Sequence, residues 1–478
     1  MQTVAWKFAT LNGKSRITAI VRPCAPLLAA IALAGCSTIS MPALDADTPP
    51  DWSEAPTGEW PGEEWWDAFG SGELRDLMQQ VQERNLSLEN AERNLKQAQL
   101  ALIDAGFDLY PTPVVDFNAS GHYSGSAPPG GAFRDDASDS GSLTLSLSYA
   151  DILSKPYRFE AAEAAYESAA AQLAATRLNL LGTAASTYFR ILHARDQIEA
   201  ARLNLQNAEA IERITRARVE AGVLTPIDAL QQQIAVQRQR NRLSQLRQEE
   251  YAARAALALL VAEPVRNFDV QATTLDGLLT PSVVPGLPSE LLIRRPDIVQ
   301  AEMNLRQARA NVAIARNALL PGISLTASAN TASSDLRKLT SDNSVAASLS
   351  ASLVQNVFDF GRRGRARESA RLTMDSSLAS YREIVIRAFN DIEIALGNIE
   401  LLDSLSRIAL EDLRRAEESL RIAEVRYREG VIDYQRVLTA QDFLYSARNN
   451  VLSNKRAHLN AIVSLYQSLG GGWRSDGG

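Results

Sequence analysis

The chain has 478 residues, 46% hydrophobic and 22% charged, enough to bury a large core. A formal charge of −7, with no basic stripe and interleaved aromatics, gives no reason to expect a nucleic-acid partner. No run of about 20 apolar residues follows the N-terminus, which argues against a helical membrane span.

In chain order, residues 1–35 read as a secretory signal. Lys7, Lys14, Arg16 and Arg22 precede an apolar run from Pro26 to Ala34 that is too short to cross a bilayer. The run closes on Leu33-Ala34-Gly35-Cys36, which resembles the bacterial lipobox. The resemblance implies that Cys36 is lipidated after cleavage, and Ser37 in place of Asp implies the outer membrane. A plain signal with an incidental cysteine is the alternative. Cys24 leaves with the signal, so the mature chain forms no internal disulfide. Residues 36–72 read as an extended strap from the lipid. Trp52, Trp60, Trp65 and Trp66 within it are expected to pack on the main body rather than at the membrane interface.

The remainder is a duplication. Ala91-Glu92, Asn94-Leu95 and Gln97-Ala98 recur as Ala301-Glu302, Asn304-Leu305 and Gln307-Ala308, and Pro111 meets Pro321. Arg218, Gly222, Val223, Leu230 and Gln233 recur as Arg426, Gly430, Val431, Leu438 and Gln441. The two repeats, 73–270 and 271–478, each run short helix, strand, loop, strand, long helix, tight turn, helix. First helices are expected over Glu73–Gly106 and Pro296–Ala318, with a connector from Pro264 to Pro288. From Ser154 to Gly222 one helix is expected, with Tyr166, Leu173, Leu180, Ile191, Ile198 and Leu205 near heptad spacing.

Four segments alternate apolar and small polar residues: 115–123, 143–149, 323–330 and 345–353. Loops are expected over Ser124–Ser142 and Thr331–Ser344. Soluble half-buried strands alternate too, but Ser, Thr, Asn and Asp at the polar positions suit the wet lumen of a transmembrane barrel. Four strands do not close a barrel, and an open edge is not tolerated in lipid, so several chains must complete it. Three chains give twelve strands and room for a channel.

The segment Gly286-Leu-Pro-Ser-Glu-Leu-Leu-Ile-Arg-Arg-Pro-Asp-Ile298 resembles the LP-x-x-LL-x-RRPDI hallmark of the outer membrane factor (TolC-like) efflux proteins, in their lipoprotein NodT-like branch. Ala315 to Pro321, Arg426 to Val431 and Leu465 to Trp473 agree, and the likeness runs from about residue 36 to 473. It implies an α+β membrane fold: a homotrimer with a twelve-stranded outer-membrane β-barrel, continued by a twelve-helix α-barrel through the periplasm. Such proteins are exit ducts of tripartite pumps, working with a periplasmic adaptor and an inner-membrane transporter and passing small molecules such as drugs.

The long helices end at Gly222-Val-Leu-Thr-Pro-Ile-Asp228 and Gly430-Val-Ile-Asp433. By the resemblance these tips close the resting channel and meet the adaptor at Gly222, Val223, Gly430 and Val431. Arg218, Asp228, Arg426, Tyr427 and Asp433 are the candidate latch residues, or else solvated helix ends. Where the family often has an aspartate, this chain has Thr439, leaving Asp433 or Asp442 to take that role. No catalytic motif is present, and His122, His193 and His458 lack ligand spacing, so no enzyme, cofactor or metal is expected. A type I protein secretion duct and a coiled-coil lipoprotein without a pore are the alternatives.

Overall fold

A computed structural model describes residues 62–126, 134–283, 291–333 and 345–473. The signal, Cys36, Trp52 and Trp60 lie outside the described residues. A 3-10 turn at Trp65–Phe69 leads into helix α1, Gly72–Arg84, capped by the Ser71 hydroxyl. The single helix expected over Glu73–Gly106 is broken at Asn85, which starts a second helix, α2, Leu86–Phe107. The Asn85 Oδ1 accepts from the Ser87 and Leu88 amides, and its Nδ2 donates to the Leu260 carbonyl at 2.8 Å. Asparagine competes for backbone hydrogen bonds, so it serves better as a cap than inside a helix.

Strands β1 (Thr112–Ser126) and β2 (Arg134–Tyr149) come next, followed by helices α3 (Lys155–Glu220) and α4 (Pro226–Leu260). After the connector, a short α5 (Leu291–Arg294) precedes α6 (Pro296–Asn317), β3 (Gly322–Ser333), β4 (Val345–Val354), α7 (Arg362–Arg428) and α8 (Tyr434–Ser468). With 66 and 67 residues, α3 and α7 each reach about 100 Å. The strands outrun the alternating segments. β2 begins at Arg134 within the expected loop, and Thr331 to Ser333 belong to β3. Gly, Ser and Asp are weak strand formers there, and ladder pairing such as Gly121 with Asp139 overrides that preference.

The four strands form one antiparallel sheet in the order β1-β2-β3-β4. Its rows run straight across: Val115, Leu145, Ala329 and Ala347 are partners in turn, as are Val114, Ser146, Ser328 and Ser348. Among the helices, α3 lies against α2 and α6, then α4 and α8, while α7 lies against α6, then α8. Over the first quarter of α3 the buried residues are Ala164, Ser168 and Ala171; Ser168 donates to Asn304 of α6 at 2.8 Å, and Ala301, Leu305 and Ala308 are buried on α6. Small side chains let these helices approach closely, so Tyr166 and Leu173 stay half-buried.

The main core gathers α1, the middle of α3, the ends of α4 and α8, and the connector. Phe69, Tyr188, Phe189, Leu257, Leu275 and Leu459 are fully enclosed there. Trp65 and Trp66 are buried, as expected of strap indoles packing on the body, and Trp65 stacks on Tyr466 at 5.1 Å. Burial pushes the Tyr188 phenol up to about 12, and its hydroxyl donates to Glu73 at 3.0 Å. Glu73 also accepts from the Ala272 amide, while Arg195 donates to the Val270 and Ala272 carbonyls and pairs with Glu250. Side chains thus satisfy the irregular connector's backbone groups, which no ladder reaches.

The Arg294-Arg295-Pro296-Asp297 run proves to be a staple. Arg295, 8% exposed, reaches Asp297 at 2.6 Å, Asp391 of α7 at 3.1 Å and the Ser468 carbonyl at the end of α8. Gly470, at φ +83°, completes the joint, because a Cβ there would strike the Arg294 carbonyl.

Candidate functional site

Two regions can do transport work: the sheet and the helical tips. Successive strand residues point to opposite faces, and the register aligns those faces across all four strands. One face carries Val115, Phe117, Leu145, Leu147, Leu325, Leu349 and Leu353, all exposed in the single chain. The other carries serine rows, in which Ser324 meets Ser352 at 2.7 Å and Ser328 meets Ser348 at 2.8 Å, hydroxyl to hydroxyl. An apolar face fits lipid and a hydroxyl-lined face fits water. Among the described residues, the outer edges of β1 and β4 have no strand partner, so this sheet is part of a larger one.

Each long helix ends in the same turn. Gly222 and Gly430 sit at φ +73° and +74°, a region glycine enters without strain. The Gly222 amide donates to the Val219 carbonyl and the Val223 amide to the Arg218 carbonyl; Gly430 and Val431 repeat this on Tyr427 and Arg426. These paired bonds are a Schellman closure. Val223 and Val431 are left exposed at the apices.

The five candidate latch residues divide. Arg218 and Tyr427 come together across the two hairpins, the guanidinium 4.5 Å from the ring centroid. Asp228 is turned inward to a capping box with Thr225, whose hydroxyl, then its amide, hold the carboxyl below the usual range. Asp433 caps α8 by accepting from the Arg436 amide. Arg426 is exposed, and its carbonyl anchors the second turn. Thr439 bonds back to the Gln435 carbonyl of its own helix, and Asp442 is exposed. Sequence reasoning missed the Arg218–Tyr427 contact, because no local signal links residues on different hairpins.

An amphipathic four-stranded sheet carried on helical hairpins of about 100 Å defines a class: outer-membrane channels whose β-barrel continues as a helical barrel into the periplasm. Among solved structures, the Campylobacter jejuni CmeC outer membrane channel shares this fold, with a TM-score of 0.83 at 22% identity over 92% of this chain and 95% of that one. A family model described as "Outer membrane efflux protein" matches residues 77–263 and 287–471. The pyoverdine export outer membrane protein OpmQ of Pseudomonas aeruginosa is 35% identical, covering 86% of this chain and 88% of its own length. The cation efflux system protein CusC of Escherichia coli O157:H7 is 27% identical, covering 94% and 98%. The chain belongs to the outer membrane efflux protein family and is an efflux channel of the outer membrane.

Proposed function

We propose that three copies of this chain close a twelve-stranded barrel in the outer membrane and a twelve-helix barrel below it, forming the passive exit duct of a tripartite pump for small molecules. The observation that carries this is the sheet: one face apolar, one face serine-rich, and two outer edges without a strand partner among the described residues. The names of the relatives, pyoverdine export and cation efflux, point to small solutes and favour them over protein secretion. The exposed apolar sheet face counts against a poreless coiled-coil lipoprotein. Transport through such a duct is no enzymatic step.

In this reading residues 1–35 are removed, Cys36 carries lipid, and 36–72 run as a strap to repeats 73–270 and 271–478, which intertwine as one domain. The tips at Gly222, Val223, Gly430 and Val431 meet a periplasmic adaptor, which joins the duct to an inner-membrane transporter. Arg218 and Tyr427 hold neighbouring hairpins together in the closed state, with Arg426 beside them. Asp228 and Asp433 fix the tip geometry through their caps.

The test is to place arginine on each face in turn. Leu147→Arg puts a charge on the lipid face, where arginine costs up to roughly 2–4 kcal/mol at the midplane and less toward the interface, and should lower heat-stable trimer, while Ser146→Arg should insert. Wild-type trimers in planar bilayers should show single-channel steps. Equal trimer yields from both variants, or a silent wild type, would remove the duct reading.

A further inference from the structure

In the middle of the helical body, on the side of α3 away from the main core, lies a polar pocket of about 400 Å³. Thr183, Ser186 and Arg190 line it from α3, and Arg456, Asn460 and Gln467 line it from α8. At 100° per residue, this α3 stripe lies opposite Leu181, Tyr188 and Leu192, which face the core. The core side is covered by α1 and the connector, so in a closed helical barrel the pocket side faces the bore. The lining contains two guanidinium groups and no Asp or Glu. His193, beside Arg456, adds no charge at neutral pH: burial first, and the arginine second, depress it to about 4.

Two further features shape the pocket wall. Gly182 sits within α3, where glycine costs about 1 kcal/mol relative to alanine. A Cβ at that position would strike the Gln467 amide, so the glycine lets Gln467 lie against α3. The Asn460 amide has its Oδ1 buried without a hydrogen-bond partner, and either end of an amide can turn to a ligand.

We infer that this pocket is an oxyanion site in the wall of the duct, taking solutes that bear carboxylate or phosphate groups. It rests on the duct reading above, in which three copies place six guanidinium groups in one belt. Guanidinium forks match the two oxygens of such groups, and neighbouring amides and hydroxyls supply further donors. A belt of one sign in a narrow bore raises the local concentration of the opposite charge and sets which solutes linger. The duct would then favour acidic cargo at mid-length, far from its tips.

The test uses purified full-length trimers in planar bilayers, with citrate added on the barrel side as the probe. Citrate should block wild-type current, and the half-blocking concentration should rise several-fold in Arg190→Gln/Arg456→Gln while unblocked conductance persists. Arg190→Gln alone should fall between them; this exposed position keeps the test available if the double variant fails to assemble. Equal citrate block in the wild type and the arginine variants overturns the inference and leaves the duct standing. A wild-type trimer that carries no current removes the duct and this site with it.

Discussion

The girdle around Tyr188 and the tips at Gly222 and Gly430 lie on the same continuous helices yet are built in opposite ways. In the girdle, five rings, Trp65, Phe69, Tyr188, Phe189 and Tyr466, meet in stacked, edge-to-face and tilted pairs, and Glu73, Arg195 and Arg295 hold the irregular backbone by charge-assisted bonds. About 45 Å further along α3, the Arg218 guanidinium of one hairpin lies over the Tyr427 ring of the other, beside exposed valines. Strength and movement are kept apart along one element. A stiff helix clamped at its middle is free to swing at its far end.

The largest expected effect breaks the girdle. Arg295→Met strips the shared partner from Asp297 and Asp391, which water reaches in part, and should cost about 2–3 kcal/mol per protomer with loss of heat-resistant trimer on gels. A variant as heat-stable as the wild type would mean that the clamp lies elsewhere.

Gly222→Ala and Gly430→Ala force a β-carbon into left-handed backbone, at about 1–2 kcal/mol each. The damage should stay local, with faster hydrogen exchange over the last turns of α3 and α7 and little change in trimer stability. A fall in trimer stability as large as that of Arg295→Met would erase the contrast between the two regions.

Arg218→Gln removes the cation–π contact, worth about 0.5–1 kcal/mol per copy. Summed over three copies, roughly 2 kcal/mol biases a two-state gate more than tenfold. Bilayer conductance should rise while the melting behaviour stays unchanged; replacing Arg426, Tyr427 and Asp433 by Ala should raise conductance too, with loss of the Asp433 cap loosening the start of α8. Conductance fixed at the wild-type level in both variants assigns the latch to other residues.

Within the pH range where proteins normally work, the effect expected to show least is a pH dependence in the girdle, because it develops fully only toward pH 4. His193 is depressed to about 4 when folded and titrates near 6.5 when unfolded. Between those values the unfolded chain binds the extra proton, so stability declines as pH falls from about 6.5 to 4 and rises again in the other direction. His193→Gln should flatten the slope of denaturation midpoint against pH in that window; an unaltered slope would assign it to other groups.

Much of this was legible in the sequence because its signals are periodic. Alternation marked four strands, the duplication paired the hairpins, and glycine placed both tips. What escaped depends on contacts between distant residues. Asn85 sits inside a good helix-forming run, and only the Leu260 carbonyl waiting for its amide explains the break. Arg295 stood out as a family motif, but its grip on Asp391 and Ser468 joins segments far apart in the chain. Asp228 looked like a free charge at a tip, whereas Thr225, three residues earlier, engages it as a cap. The S/T-x-x-D spacing was a local signal that could have shown this.

The two unpartnered sheet edges bear on how the molecule comes into being. A solitary chain would present raw strand borders and a greasy sheet face at once, the combination that drives uncontrolled aggregation. In the proposed trimer, entry into the bilayer is therefore coupled to meeting two sisters. Maturation of such a chain is a many-body encounter whose rate climbs steeply with local concentration, and holding newly secreted copies on one membrane surface would raise that concentration before any barrel exists.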